Sequence, residues 1–305
     1  MSEALAVVLP VFGLIGLGWL ARRTGYVTDR TGEGLSDFVF AIAVPALIFR
    51  TLTAANLPAV QPWGYWAAYF GGVMVVWALG SAIASRFWAV QGTEGVVAGF
   101  TAAQANTVLV GIPLILRAYG PEGAVPLFLL VAIHLPLMVA TATILAEGSG
   151  VRWSRVARQL AVNPLLVAIA ASSAARLAGV SLPTVGQSVV DALATAASPC
   201  ALVAMGIALC RYGIGDRPGL AAVLAGLKLV VHPLIVWVLA TRVLDVPPVW
   251  AGVAVLFAAS PCGVNAYLFA ERYRTGVPLA ASAIALSTAL SVLSTAVWLI
   301  VLGKG

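Results

Sequence analysis

The stretch from Ser260 to Tyr267 reads SPCGVNAY and interrupts a long apolar run. Proline lacks a backbone N–H and its ring clashes with the preceding turn, which costs about 3 kcal/mol in a helix interior. Glycine and asparagine also favour the ends of helices over their interiors. The stretch therefore predicts a helix that stops and starts again in the middle of an apolar segment.

The composition shows which solvent surrounds such segments. Apolar residues make up 61% of the 305-residue chain and charged residues only 9%, whereas a soluble domain carries about 25% charged residues. A chain so poor in charge cannot cover its surface against water, so we expect its helices to lie in a lipid bilayer. In lipid, backbone groups freed by a break must be buried in protein or face water.

Runs of about 20 apolar residues, the length that crosses a bilayer, predict ten transmembrane helices joined by short connections. No connection is long enough for a separate soluble domain, so we interpret residues 1–305 as one membrane unit. Cys200, Cys210 and Cys262 fall in or at the ends of spans and are interpreted as packing residues, with no disulfide and no metal site. The predicted spans are 4–22, 35–53, 64–85, 95–117, 123–145, 159–178, 186–210, 219–241, 249–271 and 279–302.

Basic residues set the expected orientation. Eleven of the 17 lie in the odd-numbered connections, five in the even-numbered connections and the C-terminal end, and Lys228 lies inside a span. Positive residues favour the cytoplasmic side, so we expect both termini outside the cytoplasm of a cell (inner) membrane. The net charge of +6 is explained by these loop arginines and indicates no nucleic-acid partner.

An internal repeat divides the chain into two halves of five predicted spans. Four residue pairs match at an offset of 154: Pro10 and Pro164, Gly25 and Gly179, Asp37 and Asp191, and Pro45 and Pro199. Because five is odd, the second half enters the membrane inverted, which is typical of secondary transporters. We therefore predict an all-α membrane protein built as a 5+5 inverted repeat.

The fourth span of each half carries a break. Residues 104–113 read QANTVLVGIP in span 4, and SPCGVNAY lies in span 9. Two breaks in equivalent spans indicate crossed, discontinuous helices near the bilayer midplane. Ile112-Pro113 suits the start of one half-helix, and Asn265 could cap the other.

The two half-helix starts indicate a site for an anion. Their unpaired N–H groups and positive dipole ends each favour a negative charge by about 0.3–2 kcal/mol, and the amides of Asn106 and Asn265 add donors. The alternative is that both breaks are ordinary kinks without a ligand. An intramembrane enzyme is disfavoured, because the chain has neither a nucleophile turn beside a histidine nor paired membrane carboxylates. A channel or sensor of the same fold stays open.

At these residues the sequence resembles the auxin efflux carrier family, in its short prokaryotic branch within the bile acid/arsenite/auxin carrier superfamily. The resemblance covers nearly the whole chain and is most specific in spans 4 and 9. It is carried by NTVLVGIPLILRAYG at 106–120, NPLLVAIAASSAARLAGVSLP at 163–183, SPCALVAMGIAL at 198–209, LKLVVHP at 227–233 and ASPCGVNAYLFAERY at 259–273.

The resemblance implies a scaffold formed by 1–53 and 159–210 and a moving transport unit formed by 64–145 and 219–302. It implies a homodimer through the scaffold and an auxin-like or other mono- or dicarboxylate substrate, such as malonate or malate, carried by alternating access. The anion would be held at the crossing of spans 4 and 9. The expected substrate-binding residues are Asn106, Thr107, Gly111, Pro113, His134, Ser260, Pro261 and Asn265.

Two ionisable residues inside spans carry further expectations. Lys228 is the only basic residue deep in a span, where a charge costs about 2.5–3.5 kcal/mol. It either offsets the negative ends of the first half-helices or contacts the substrate, and we favour the first role. His134 is expected either at the substrate site or as a packed core histidine.

No carboxylate lies clearly at the midplane, although ion coupling usually needs an ionisable group there. We therefore expect no cofactor and transport driven by the substrate gradient and the membrane potential. Two alternatives stay open. One is a sodium site formed by carbonyls, asparagine and serine, and the other is a proton carried by His134.

Overall fold

The computed structural model describes residues 2–55, 63–151, 153–180 and 182–304. These residues form helices and contain no β-strand, only one isolated antiparallel bridge between Ala105 and Cys262. The α-helices α1 to α15 span, in chain order, Ser2–Arg23, Asp29–Phe38, Val44–Ala54, Trp63–Trp88, Gly92–Ala103, Ile112–Tyr119, Ala124–Glu147, Trp153–Ala161, Pro164–Leu177, Thr184–Leu209, Pro218–Gly226, His232–Val238, Pro248–Ala259, Val264–Tyr273 and Val277–Val301. The all-helical membrane fold expected from the composition is confirmed.

Short segments of other helical types join several of these helices. Three of the π-helical segments end directly before a helix whose second residue is proline: Val39–Ala43, Thr107–Gly111 and Leu227–Val231. A proline cannot donate to the helical ladder and crowds the carbonyl four residues earlier. The wider π turn relieves this crowding and keeps the chain helical. The other such segments are the π-helix Leu239–Val243 and the 3₁₀ turns Gly120–Gly123 and Gly148–Gly150.

Seven helical stretches of the described residues are long and apolar enough to cross a membrane. One of them, Thr107–Glu147, is 41 residues long and reverses at Gly120, whose φ of +57° suits glycine. Two further apolar helices, Pro164–Leu177 and Pro248–Ala259, are shorter. The count of ten spans therefore stays a prediction.

The predicted sixth span, 159–178, is wrong at its start. Asn163 caps a new helix there, because its side-chain oxygen accepts the backbone N–H groups of Leu165 and Leu166 at 3.0 and 3.4 Å. Helix α9 therefore begins at Pro164, and the residues before it form the separate helix α8.

The helices pack in two groups. Helix α1 packs against α10, and α3 packs against α9 and α10. In the other group α4 packs on α5 and α12, α11 on α15, and α13 on α12. Glycine allows the closest approach in the first group, since a Cβ at Gly206 would lie 2.0 Å from the carbonyl oxygen of Ile15.

Candidate functional site

Both interruptions predicted from the sequence are present. Helix α5 ends at Ala103, and the non-helical residues Gln104–Asn106 separate it from the π-helix at Thr107–Gly111 and from α6. Helix α13 ends at Ala259, and Ser260–Gly263 separate it from α14. The sequence explains the end of α13, since Pro261 and Gly263 disfavour a helix interior, whereas Asn106 is the only such residue of Gln104–Asn106.

The two interruptions contact each other through their backbones. The N–H of Asn106 donates to the carbonyl oxygen of Pro261 at 2.8 Å, and the N–H of Gly263 donates to that of Gln104 at 2.9 Å. These bonds form a two-stranded junction that satisfies backbone groups which lipid could not satisfy. We call Gln104–Asn106 together with Ser260–Gly263 the junction.

Close approach at the junction requires glycine. A Cβ at Gly263 would lie 2.7 Å from the carbonyl oxygen of Ala105, and a Cβ at Gly111 would lie 3.3 Å from both the Asn106 carbonyl oxygen and the Ser260 hydroxyl. Ser287 of α15 supports the junction from the side, because its hydroxyl accepts the N–H of Cys262 at 3.0 Å. The backbones here are therefore held in one tightly packed arrangement.

The junction brings together most of the predicted binding residues. Asn106, Thr107, Gly111, Ser260 and Pro261 all lie at it and are buried. The Asn106 amide nitrogen lies 3.1 Å from the sulfur of Met205 on α10, and the Ser260 hydroxyl donates to the carbonyl of Leu256 at 3.0 Å. Pro113 is the second residue of α6 and lines a separate cavity.

Asn265 does not cap its half-helix as expected. Helix α14 begins at Val264, and its N-cap residue is Gly263, which has no side chain to form a cap. Asn265 therefore lies in the first turn, half-buried. Glycine takes the cap position because the approach of Ala105 leaves no room for a side chain there.

Lys228 and His134 both contact the last turn of α13, the helix that leads into the junction. The Lys228 ammonium group donates to the carbonyl oxygen of Ala258, in the last turn of α13. His134 of α7 packs edge-on against Phe257 of the same turn, with ring centroids 5.2 Å apart. Among the described residues, neither side chain forms a hydrogen bond with Asn106; both contact the helix that precedes the junction.

The sequence analysis missed the partners of these two residues. The Tyr69 hydroxyl lies 3.0 Å from Nδ1 of His134, and Nδ1 of His232 lies 3.2 Å from the Lys228 nitrogen. Gln104, at the junction itself, is fully buried, and neither its amide oxygen nor its nitrogen has a hydrogen-bonding partner among the described residues. Only its place beside Asn106 in the QAN stretch could have indicated it.

Comparison with known proteins identifies the class to which this fold belongs. A family model described as "Membrane transport protein" matches residues 4–154 and 151–299. The class is therefore that of membrane transporters, not enzymes. The chain belongs to this membrane transport protein family, which is the auxin efflux carrier family that its motifs resemble.

Three relatives illustrate the range of the family likeness. A "Putative malonate transporter" of Rhizobium meliloti is 31% identical over 96% of this chain and 93% of its own length. An "Uncharacterized transporter" of Methanothermobacter thermautotrophicus is 28% identical over 97% of both chains. A "Lysosomal cholesterol signaling protein" of mouse is 26% identical over 45% of this chain and 16% of its own length.

Proposed function

We propose that this protein is a secondary transporter of small organic anions, with the anion bound where the two interrupted helices meet. The proposal rests on the buried junction. Directly after it, one half-helix begins at Thr107 and the other at Val264, so both starts lie close together. The first N–H groups of a helix lack partners within it and carry the positive end of its dipole. Two such ends at one place favour a carboxylate.

Side chains at the junction complete the proposed site. Asn106 offers amide donors, and the hydroxyls of Thr107 and Ser260 lie beside it. Gly111 allows the Asn106 carbonyl oxygen and the Ser260 hydroxyl to pack closely against its backbone. Asn265 lies in the first turn of the other half-helix and offers a second amide.

Helix boundaries support the inverted repeat. Helix α1 ends at Arg23 and α9 at Leu177, and Gly25 and Gly179, which follow these ends, both have positive φ. The bounds Trp63–Trp88 likewise recur 155 residues later as Pro218–Val243. We therefore infer ten spans, arranged 5+5, with spans 4 and 9 crossing at the junction.

The two packing groups support a division into a scaffold and a transport unit. The first group, α1–α3 with α9 and α10, corresponds to the predicted scaffold, and α4–α7 with α11–α15 corresponds to the transport unit. Transport would proceed by rocking the second group against the first, as in other inverted-repeat transporters. The proposed assembly is a homodimer through the scaffold in the cell membrane.

The relative named as a malonate transporter suggests a small mono- or dicarboxylate such as malonate, malate or an auxin-like acid as the substrate. The proposed driving force is the substrate gradient together with the membrane potential. Proton coupling is a second mode. It is favoured by His134, whose Nε2 is buried without a hydrogen-bonding partner among the described residues. A sodium site of carbonyl and side-chain oxygens is the third.

The test is uptake of radiolabelled malonate into proteoliposomes. We expect saturable uptake that is accelerated by unlabelled malonate inside, and loss of uptake when Asn106→Ala removes the amide at the junction. Gln187→Ala is the matched control, because this amide is exposed at the start of α10. Repeating the assay with a sodium gradient or a pH gradient separates the three driving forces.

Other results would reject parts of the proposal. Flux that rises linearly with malonate, without counterflow stimulation, would indicate a channel. Full uptake by both Asn106→Ala and Asn265→Ala would mean that the junction is not the binding site.

A further inference from the structure

A cavity of about 740 Å³ lies between α1, α3, α6 and α10. Pro113, which follows the junction on α6, lines it together with Arg117, one helical turn further along the same helix face. Arg50 of α3 and the hydroxyl residues Thr195 and Ser198 of α10 also line it. The cavity is thus lined by two basic side chains, Arg50 of α3 and Arg117 of α6.

The guanidinium groups of this cavity are poorly paired. Arg117 donates through Nε and Nη2 only to the carbonyl oxygen of Ala6, both at 3.3 Å, and no described carboxylate forms an ion pair with it. Nη1 of Arg50 lies 3.9 Å from Oδ1 of Asp191, too far for a hydrogen bond. Asp191 does not line the cavity, whose described lining carries two arginines and no carboxylate.

Some of the other described arginines are paired more closely. Four of them contact a carboxylate at 2.5–3.2 Å, namely Arg22 with Asp29, Arg211 with Glu33, Arg217 with Glu94 and Arg272 with Glu147. Within the described part of the chain, Arg176 and Arg242 form no such ion pair, but they do not line a cavity with a second arginine as Arg50 and Arg117 do. The two arginines in the cavity keep donors free for another anion.

We propose that Arg50 and Arg117 bind a carboxylate in this cavity and make the transporter prefer dicarboxylates to monocarboxylates. The inference rests on the proposed transport of organic anions. A guanidinium group matches a carboxylate with two parallel hydrogen bonds. A dianion is attracted by both cations of the cavity more strongly than a monoanion is.

The test compares binding of radiolabelled malonate and acetate to the purified protein. We expect malonate to bind more tightly than acetate. The double variant Arg50→Gln/Arg117→Gln should weaken malonate binding by about tenfold, the loss expected for one charge-assisted hydrogen bond. Acetate binding should change by less than about twofold. The control Arg176→Gln/Arg242→Gln removes two arginines that do not line the cavity and should change neither affinity.

Each result decides the inference. An unchanged malonate-to-acetate ratio in the double variant overturns it, as does an equal loss in the control. If the double variant does not fold, the single variants Arg50→Gln and Arg117→Gln replace it, and an unchanged ratio in both has the same meaning. If Asn106→Ala abolishes malonate binding while the ratio stays unchanged, only this inference fails. If the unmodified protein binds neither acid, the proposed function fails as well.

Discussion

At the scale of single residues, Lys228 shows how a buried charge is accommodated in a membrane helix. Its side chain is fully buried, and its ammonium group donates to the carbonyl oxygen of Ala258. The last carbonyls of a helix lack intrahelical partners and carry the negative end of its dipole. A cation at this place stabilises the end of α13, which supports the first of the two roles considered for Lys228.

Replacing Lys228 with methionine should therefore destabilise the protein by about 1–3 kcal/mol, because the Ala258 carbonyl would lose its donor while remaining buried. Denaturant unfolding of the purified protein in detergent measures this change. Lys304→Met, which removes the other lysine of the chain, is the control and should leave the stability unchanged. Equal stability of Lys228→Met and the unmodified protein would remove the argument for a helix-end role.

At the scale of elements, the junction depends on how closely two backbones approach. Asn106 and Gly263 donate to carbonyls of the opposite interruption, and Gly263 has no space for a side chain. Extended backbone in a membrane protein is stable only when such partners are found. The two half-helix starts are thus positioned by hydrogen bonds between interruptions that lie far apart in sequence.

Gly263→Ala should separate the two interruptions, since the added Cβ would lie 2.7 Å from a carbonyl oxygen that belongs to the backbone and cannot rotate away. We expect malonate uptake to fall at least about tenfold, the effect of moving a binding group by about an ångström. Gly226→Ala, at the end of α11 where nothing lies within 4 Å of the added atom, should retain uptake. Uptake by Gly263→Ala at the control rate would contradict the role of the junction.

The elements that could be predicted from the sequence are those that depend on local chemistry. Proline, glycine and asparagine indicated both interruptions, and Ile112-Pro113 indicated the start of α6. The π turns were missed, because a proline in an apolar run is equally consistent with a kink. Helix α8, Trp153–Ala161, was not predicted as a separate helix. Its first residues were assigned to a loop and its last three to the predicted span 159–178, because apolar residues continue from there into the following helix.

The candidate site was predictable only in part, for a different reason. Asn106 and Ser260 stand out as polar residues within apolar runs. Tyr69 does not, since a tyrosine in a membrane span has no distinctive pattern, and its contact with His134 joins residues 65 positions apart. The cap at Gly263 likewise depends on the position of Ala105 in the other half of the chain.

At the scale of the whole molecule, the cavity and the junction lie where the two packing groups meet. Arg50 comes from one group and Arg117 from the other, and Arg117 also contacts the Ala6 carbonyl of α1 across the boundary. A movement of one group against the other would change the spacing of these two arginines. The cavity should therefore open to one side of the membrane at a time.

The expected orientation of the chain predicts the side of the membrane to which this cavity opens. Because both termini are expected outside, and Ala6 and Pro10 of α1 lie near the cavity, the cavity should open away from the cytoplasm. Two cysteine variants test this side. Ser198→Cys replaces a residue that lines the cavity, and Ser85→Cys replaces a residue of another cavity. Ser85 lies at the end of α4 that is expected on the cytoplasmic side, because most basic residues lie in the odd-numbered connections. Both variants would be made with Cys200 and Cys210 replaced by alanine, while buried Cys262 is kept.

A membrane-impermeant thiol reagent should label Ser198→Cys in intact cells and Ser85→Cys only in inverted membrane vesicles, because each cavity is reached from one side. Saturating malonate should slow the labelling of Ser198→Cys by occupying the cavity that this residue lines, whereas acetate at the same concentration should slow it less. The fraction labelled is read from a mass shift on gels.

The reverse pattern of sides would place the termini in the cytoplasm. Labelling of Ser198→Cys at equal rates from both sides would indicate a continuous pore instead of alternating access.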